Sequence, residues 1–135
     1  MPGDLYDYAV VRVVPRVDRE EFLNVGVILS CEAREFLDVR LALDEARLLA
    51  LHPAVDVDVV ERHLDGLCRV ARGTAGSGPI ATQPRRARFH WLTATRSALV
   101  QTSSVHMGRT DDPAATLERL VARLVECRDE PERTR

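Results

Sequence analysis

The chain contains no lysine: all 19 of its basic residues are arginine. That removes Schiff-base and lysine-nucleophile chemistry, and with them the lysine of a nucleotide-phosphate loop. The arginine-only usage, with abundant alanine and valine, reads as a coding bias, so no single arginine gains a role merely by not being lysine. Cysteine pairs are also lacking. Cys31, Cys68 and Cys127 are far apart and form no C-x-x-C, which implies neither disulfide nor zinc. His52, His63, His90 and His106 show no metal-ligand spacing, so no metal is expected. No apolar run approaches the ~20 residues of a membrane span, and no basic segment precedes a long apolar one. The expectation is a cytoplasmic protein with no membrane association. A formal net charge of -2 excludes an overall positive field that would steer the chain to nucleic acid.

What remains is an ordinary globular composition, 45% hydrophobic and 30% charged over 135 residues, enough for one core. A single domain over residues 1–128 with a charged tail at 129–135 is expected. Leu5 to Val14, Asn24 to Cys31 and Phe36 to Leu43 are β-branched or period-2 runs and predict three consecutive strands. Asp44 caps a short predicted helix, Glu45 to Leu51, stopped at His52-Pro53. Val57, Val60, Leu64, Leu67 and Ala71 recur at helical spacing, with Asp58 and Glu61 resembling a capping box, so a longer helix spans Asp56 to Arg72. Gly66 inside it costs about 1 kcal/mol against alanine, which implies a close neighbour or a bend. Cys68 falls on the apolar stripe and reads as core. Ser97 to Thr102 predicts a fourth strand, followed by a polar loop from Ser103 to Gly108. Asp112-Pro113 then opens a last helix with the stripe Leu117, Leu120, Val121, Leu124 and Val125. The fold class is α+β: an antiparallel sheet of about four strands, a meander of three plus one, packed on one face by two longer helices.

Few segments carry chemistry. Gly73 to Pro79 follows a helix and lacks G-K-[ST], so it is not a phosphate loop. Arg85, Arg86, Arg88, Phe89, His90 and Trp91 are the densest cluster; arginine interleaved with aromatics suits nucleic acid, but a charged loop pinned to the core by its aromatics explains it as well. Ser103, Ser104 and His106 lack the strained elbow of a nucleophile. Polarity inside strands is more informative. Arg12 interrupts an apolar run on the face of Tyr6, Tyr8 and Val10, while Asp38 with Arg40 and Asn24 with Ser30 suggest one mixed, polar sheet face.

Several blocks occur in order: Tyr6-x-Tyr8-Ala9-Val10-Val11-Arg12, Glu21-x-x-Asn24-Val25-Gly26-Val27-Ile28-Leu29, Arg88-Phe89-x-Trp91, Arg96-Ser97 and Val105-His106-x-Gly108. In these the chain resembles the bacterial domain-of-unknown-function family 3037. The resemblance implies no assigned reaction and no cofactor. It does imply a gene neighbour that encodes a kinase-like protein of the HipA type, hence an accessory role. Carried onto this chain, the candidate binding residues are Arg12, Glu21, Asn24, Arg88, Arg96, Gln101 and His106, and no pair among them forms an acid/base or nucleophilic set. Three readings follow: a noncatalytic interaction protein with a kinase-like partner, a small enzyme or anion-binding module for a phosphorylated or nucleotide-like ligand, and nucleic-acid binding through Arg85 to Trp91. Nucleic acid is the least expected of these partners.

Overall fold

The computed structural model describes residues 3–94 and 98–127. The elements run β1 (Asp4–Val13), β2 (Leu23–Cys31), β3 (Phe36–Leu41), α1 (Glu45–Leu51), α2 (Val57–Ala71), α3 (Arg85–Leu92), β4 (Val100–Thr102), β5 (His106–Thr110) and α4 (Pro113–Leu124). The first three strands form the expected antiparallel meander, and the fold is α+β. The sheet has five strands rather than about four. β4 and β5 lie end to end along one side of β1, giving the order β3-β2-β1-β4 with β5 also on β1. The segment read as a polar loop from Ser103 to Gly108 therefore enters a strand. It was not legible because two short pieces share one long partner. Between them, Ser103 takes over the ladder: its N–H donates to the Val10 carbonyl at 2.9 Å, and its Oγ accepts the Val10 N–H at 2.9 Å.

Helices cover both faces, not one. Ala9, Val11, Val13, Ile28 and Val39 pack with Leu48 of α1, Val60, Leu64 and Cys68 of α2, and Phe89 and Leu92 of α3. On the opposite face Val27, Leu29 and Cys31 pack with Leu117, Leu120 and Val121 of α4 and with Val125 just beyond it. The reason lies in β2, whose residues are buried almost without interruption. A strand sandwiched between two layers reads as a continuous apolar run, whereas a half-exposed one alternates. A register shift between Val11 and Arg12 adds to this: Val11 pairs with Gly26 and Arg12 with Asn24, so Val25 is an extra residue on β2. Such a bulge reverses the facing of the residues beyond it, putting Leu23 and Val25 on the same side as Ile28 and turning Asn24 toward α4. Hence Asn24 and Ser30, grouped by simple alternation, face opposite ways. Ser30 accepts from Arg86 of α3 at 2.9 Å, and Asn24 donates to the Leu124 carbonyl at the end of α4 at 3.2 Å.

Caps account for the helix starts. Asp44, Asp56 and Asp112 accept from the backbone N–H groups of Arg47, Val59 and Ala115, so α2 begins at Asp56 and not at a box built on Asp58. The segment expected to be a charged loop at Arg85 to Trp91 is instead α3. Pro84 precedes it without a side-chain cap, and two arginines occupy a first turn whose dipole disfavours them. Tertiary contacts compensate: Arg86 meets Asp7 at 2.9 Å and Arg85 meets Glu32 at 3.7 Å. Phe89 is fully buried as expected, whereas Trp91 is 41% exposed and does not pin the segment to the core. The proposed tail at 129–135 lies outside the described residues.

Candidate functional site

Arg12 sits near the end of β1 in one cross-sheet row with Asn24 of β2 and Gln101 of β4. Directly paired antiparallel residues share a face, so three of the candidate binding residues do come together. Each, however, already has an internal role. The Arg12 guanidinium lies 4.0 Å above the Phe22 ring, Asn24 holds the last turn of α4, and Gln101 donates to the Ala98 carbonyl at 2.8 Å. Two polar atoms of this row, Arg12 Nε and Asn24 Oδ1, are buried without a hydrogen-bond partner.

His106 lies on the same face, stacked at 5.3 Å centroid distance on Tyr8, whose ring lies 6.1 Å from Tyr6. Tyr8 is four residues from Arg12, a separation of about 13 Å along a strand, so Arg12 and His106 do not share a pocket. Arg88 is on α3, beyond the other face, where it donates to the Gln83 carbonyl. Glu21 is exposed and paired with Arg19 at 2.8 Å; that hydrogen bond holds its carboxyl below the ordinary carboxylate range. Arg96 lies outside the described residues. The six described candidates are thus not gathered in one site. Asn24-Val25-Gly26 finds a structural explanation: Asn24 anchors α4, Val25 is the bulge, and a Cβ at Gly26 would come within 2.8 Å of the Arg40 carbonyl oxygen.

One concavity was not anticipated from sequence, although Gln101 of the seven candidates lines it. A cleft of about 520 Å³ opens between α2, the end of α3 and β4. Its apolar lining comes from Leu67, Val70, Trp91, Leu92 and Val100, and its basic rim from Arg62, His63 and Arg69. Arg62 and Arg69 make no ion pair with any described residue, whereas Arg72, one turn on, is bound to Asp38 at 2.9 Å. His63 Nδ1 meets the Val59 carbonyl at 2.9 Å, so that nitrogen carries the proton and Nε2 is left for the cleft. Ser77 also lines it, its hydroxyl buried and without a partner.

Gly66 explains why the cleft exists. It lines the cavity at helical spacing between Arg62 and Arg69, and a Cβ built there meets nothing within 4 Å. No close neighbour accounts for it, and α2 runs unbroken from Val57 to Ala71. The missing side chain leaves room between two cations that no described residue pairs. The sequence signal was present in R-x-x-x-G-x-x-R on one helix face.

The described lining offers apolar surface with basic and hydroxyl groups at its margin. None of its described lining residues is a carboxylate or thiol, and no hydrogen bond joins Ser77 to His63 as a nucleophile–base pair would require. Cys68, on the adjacent face of α2, is buried, and that burial pushes its thiol up, away from the reactive thiolate. Among the described residues no three His, Cys, Asp or Glu side chains gather to hold a metal. No helix among them is long and apolar enough to cross a membrane.

An antiparallel sheet between α4 and a three-helix layer, with a basic-rimmed apolar cleft beside it, is the architecture of a small α+β domain. The chain belongs to the family described as a protein of unknown function, DUF3037, which it matches over residues 8–125. No curated protein and no solved structure matches it.

Proposed function

We propose that this protein is a noncatalytic accessory domain that holds an apolar, acid-bearing element of a partner in the cleft between α2, α3 and β4. The observation that carries this reading is Gly66, flanked on its helix face by Arg62 and Arg69. A mid-helix glycine costs about 1 kcal/mol and has no packing reason here, so the open space itself is what the residue provides. An apolar floor supplies burial, and the two guanidiniums, which no described residue pairs, select a carboxylate or phosphate. The family resemblance nominates a kinase-like protein of the HipA type as partner. Calorimetric titration of that neighbour-encoded protein tests the reading. Binding is expected for the native chain, with a loss of tenfold or more in Gly66→Leu and in Arg62→Glu/Arg69→Glu. Native-like binding by both variants would remove the cleft from the account.

A second reading, a small anionic ligand, is favoured by the volume alone, since about 520 Å³ falls within the range of sites for drug-sized molecules. It predicts tight binding of such a ligand with no protein partner needed. Arg85, Arg86 and Arg88 are held by Glu32, Asp7 and the Gln83 carbonyl, which leaves nucleic-acid binding without a supporting surface in that segment.

A further inference from the structure

The two edges of the sheet are treated differently. At β3 the outer edge is closed by side chains: Asp38 accepts the Val39 N–H at 2.8 Å, and Arg72 donates to the Val39 carbonyl at 3.0 Å. A strand edge blocked in this way cannot template another strand. At β5 nothing comparable is found among the described residues. Val10 hydrogen-bonds toward the β4–β5 side through Ser103, and strand groups alternate in direction, so Tyr6 and Tyr8 also point toward β5. Their partners Gly108 and His106 are therefore the bonded positions, and Met107 and Arg109 turn their N–H and C=O groups outward. No described residue bonds them. The edge has no proline and no bulge; on it Met107 is 68% exposed beside Arg109, and behind Arg109 Leu5 of β1 is 52% exposed on the same face.

We infer that β5 is a self-association edge, pairing antiparallel with β5 of a second copy so that the two sheets become one. The strand reads His106-Met107-Gly108-Arg109-Thr110, and of the registers that set outward groups against outward groups the one that engages both Met107 and Arg109 in both copies centres on Gly108. Met107 of one copy pairs with Arg109 of the other, and Gly108 faces Gly108 on the two-fold axis. Three features fit this occupant. Glycine at the axis lets the backbones meet without opposed side chains. The Tyr6 ring already covers that point, since a Cβ on Gly108 would lie 2.6 Å from it, so two tyrosines would close over the axis. No like charges stand opposite, and Arg109 of each copy enters the cross-sheet row that holds Met107 and Asp7 of the other. The cleft is on α2 and β4 and is not part of this contact, so this inference stands independently of the proposed function.

Sedimentation velocity from low micromolar to submillimolar protein tests it. The weight-average mass should rise toward twice the monomer, and Met107→Pro, which removes an outward donor but no bond to β1, should stay monomeric with its far-ultraviolet circular dichroism unchanged. If that variant misfolds, Met107→Lys serves the same purpose by placing a charge on the edge. A register test is independent of affinity: Met107→Cys/Arg109→Cys in a Cys127→Ser background should form an intermolecular disulfide, because directly paired positions about 5.5 Å apart lie within disulfide reach. A mass that stays monomeric throughout, a dimer that survives both Met107 variants, or no cross-link in the double-cysteine protein would each overturn the proposal.

Discussion

Gly66→Ala should make the protein more stable. The residue is in the middle of α2, its added methyl would meet no atom within 4 Å, and its neighbours on that face are the rim residues of the cleft. No packing is gained or lost, so the change reduces to helix propensity, in which alanine exceeds glycine by about 0.8–1.0 kcal/mol. For a chain of this size that corresponds to a rise in Tm of about 4 °C. Thermal denaturation followed by circular dichroism at 222 nm, with the chemical denaturation midpoint as a second measure, reads the effect directly. A fall in stability would mean that α2 is approached closely at Gly66 by something the present packing does not contain. The idea that the glycine exists to hold space would then be refuted. Gly66→Leu should share most of the gain, since leucine is nearly as good a helix former, while losing the binding that the cleft provides. Stability rising as binding falls is the signature that separates a functional glycine from an accidental one.

Other substitutions test the scaffold. Ser103→Ala removes the oxygen that accepts the buried Val10 N–H and should cost about 1–3 kcal/mol in denaturant titrations. Of the three thiols, only Cys127 should react with a disulfide reagent in the native state, since Cys31 and Cys68 are buried and Cys68 is further held in its thiol form; all three should react on unfolding. Glu21 should titrate below the usual carboxylate range in a carbon-detected NMR series, and Arg19→Gln should return it upward. Because the folded-state value is depressed, the Arg19 contact contributes above the unfolded carboxylate range and is lost as the pH falls through the folded value.

Much of the fold was legible because short-range patterns were strong. The three meander strands, the two longer helices and the aspartate caps at Asp44 and Asp112 could be read from period and capping chemistry alone. The burial of β2 on both sides was also written in the sequence, in the nearly unbroken run Val25 to Leu29, but a run of that kind looks like a half-buried strand until α4 has been placed. The bulge at Val25 reversed the facing of the first residues of β2, and no local signal distinguishes a bulged valine from a paired one. α3 was hidden for a different reason: its first turn holds Arg85 and Arg86, unfavourable in isolation and satisfied by Glu32, Asp7 and Ser30, residues far away in sequence.

The candidate site was less legible. Arg12, Asn24 and Gln101, three of the seven candidates named without any shared position, fall in one row, yet Asn24 serves to anchor a helix end, and His106 lies along the strand on an aromatic stack with Tyr8. The cleft was overlooked because its defining residue is an absence of side chain. A helix interior glycine is ambiguous in sequence between close packing and open space, and only the coordinates of its surroundings separate the two.

The central claim, that the space at Gly66 is a binding site for an apolar body carrying negative charge, is tested most directly by fluorescence titration with 8-anilinonaphthalene-1-sulfonate. Its fused and phenyl rings suit the Leu67, Trp91 and Val100 lining, and its sulfonate suits Arg62 and Arg69. The native protein should show a saturable enhancement with a stoichiometry of one site per chain, absent in Gly66→Leu and weakened at least tenfold in Arg62→Glu/Arg69→Glu. Equal enhancement by the native chain and Gly66→Leu would contradict the account.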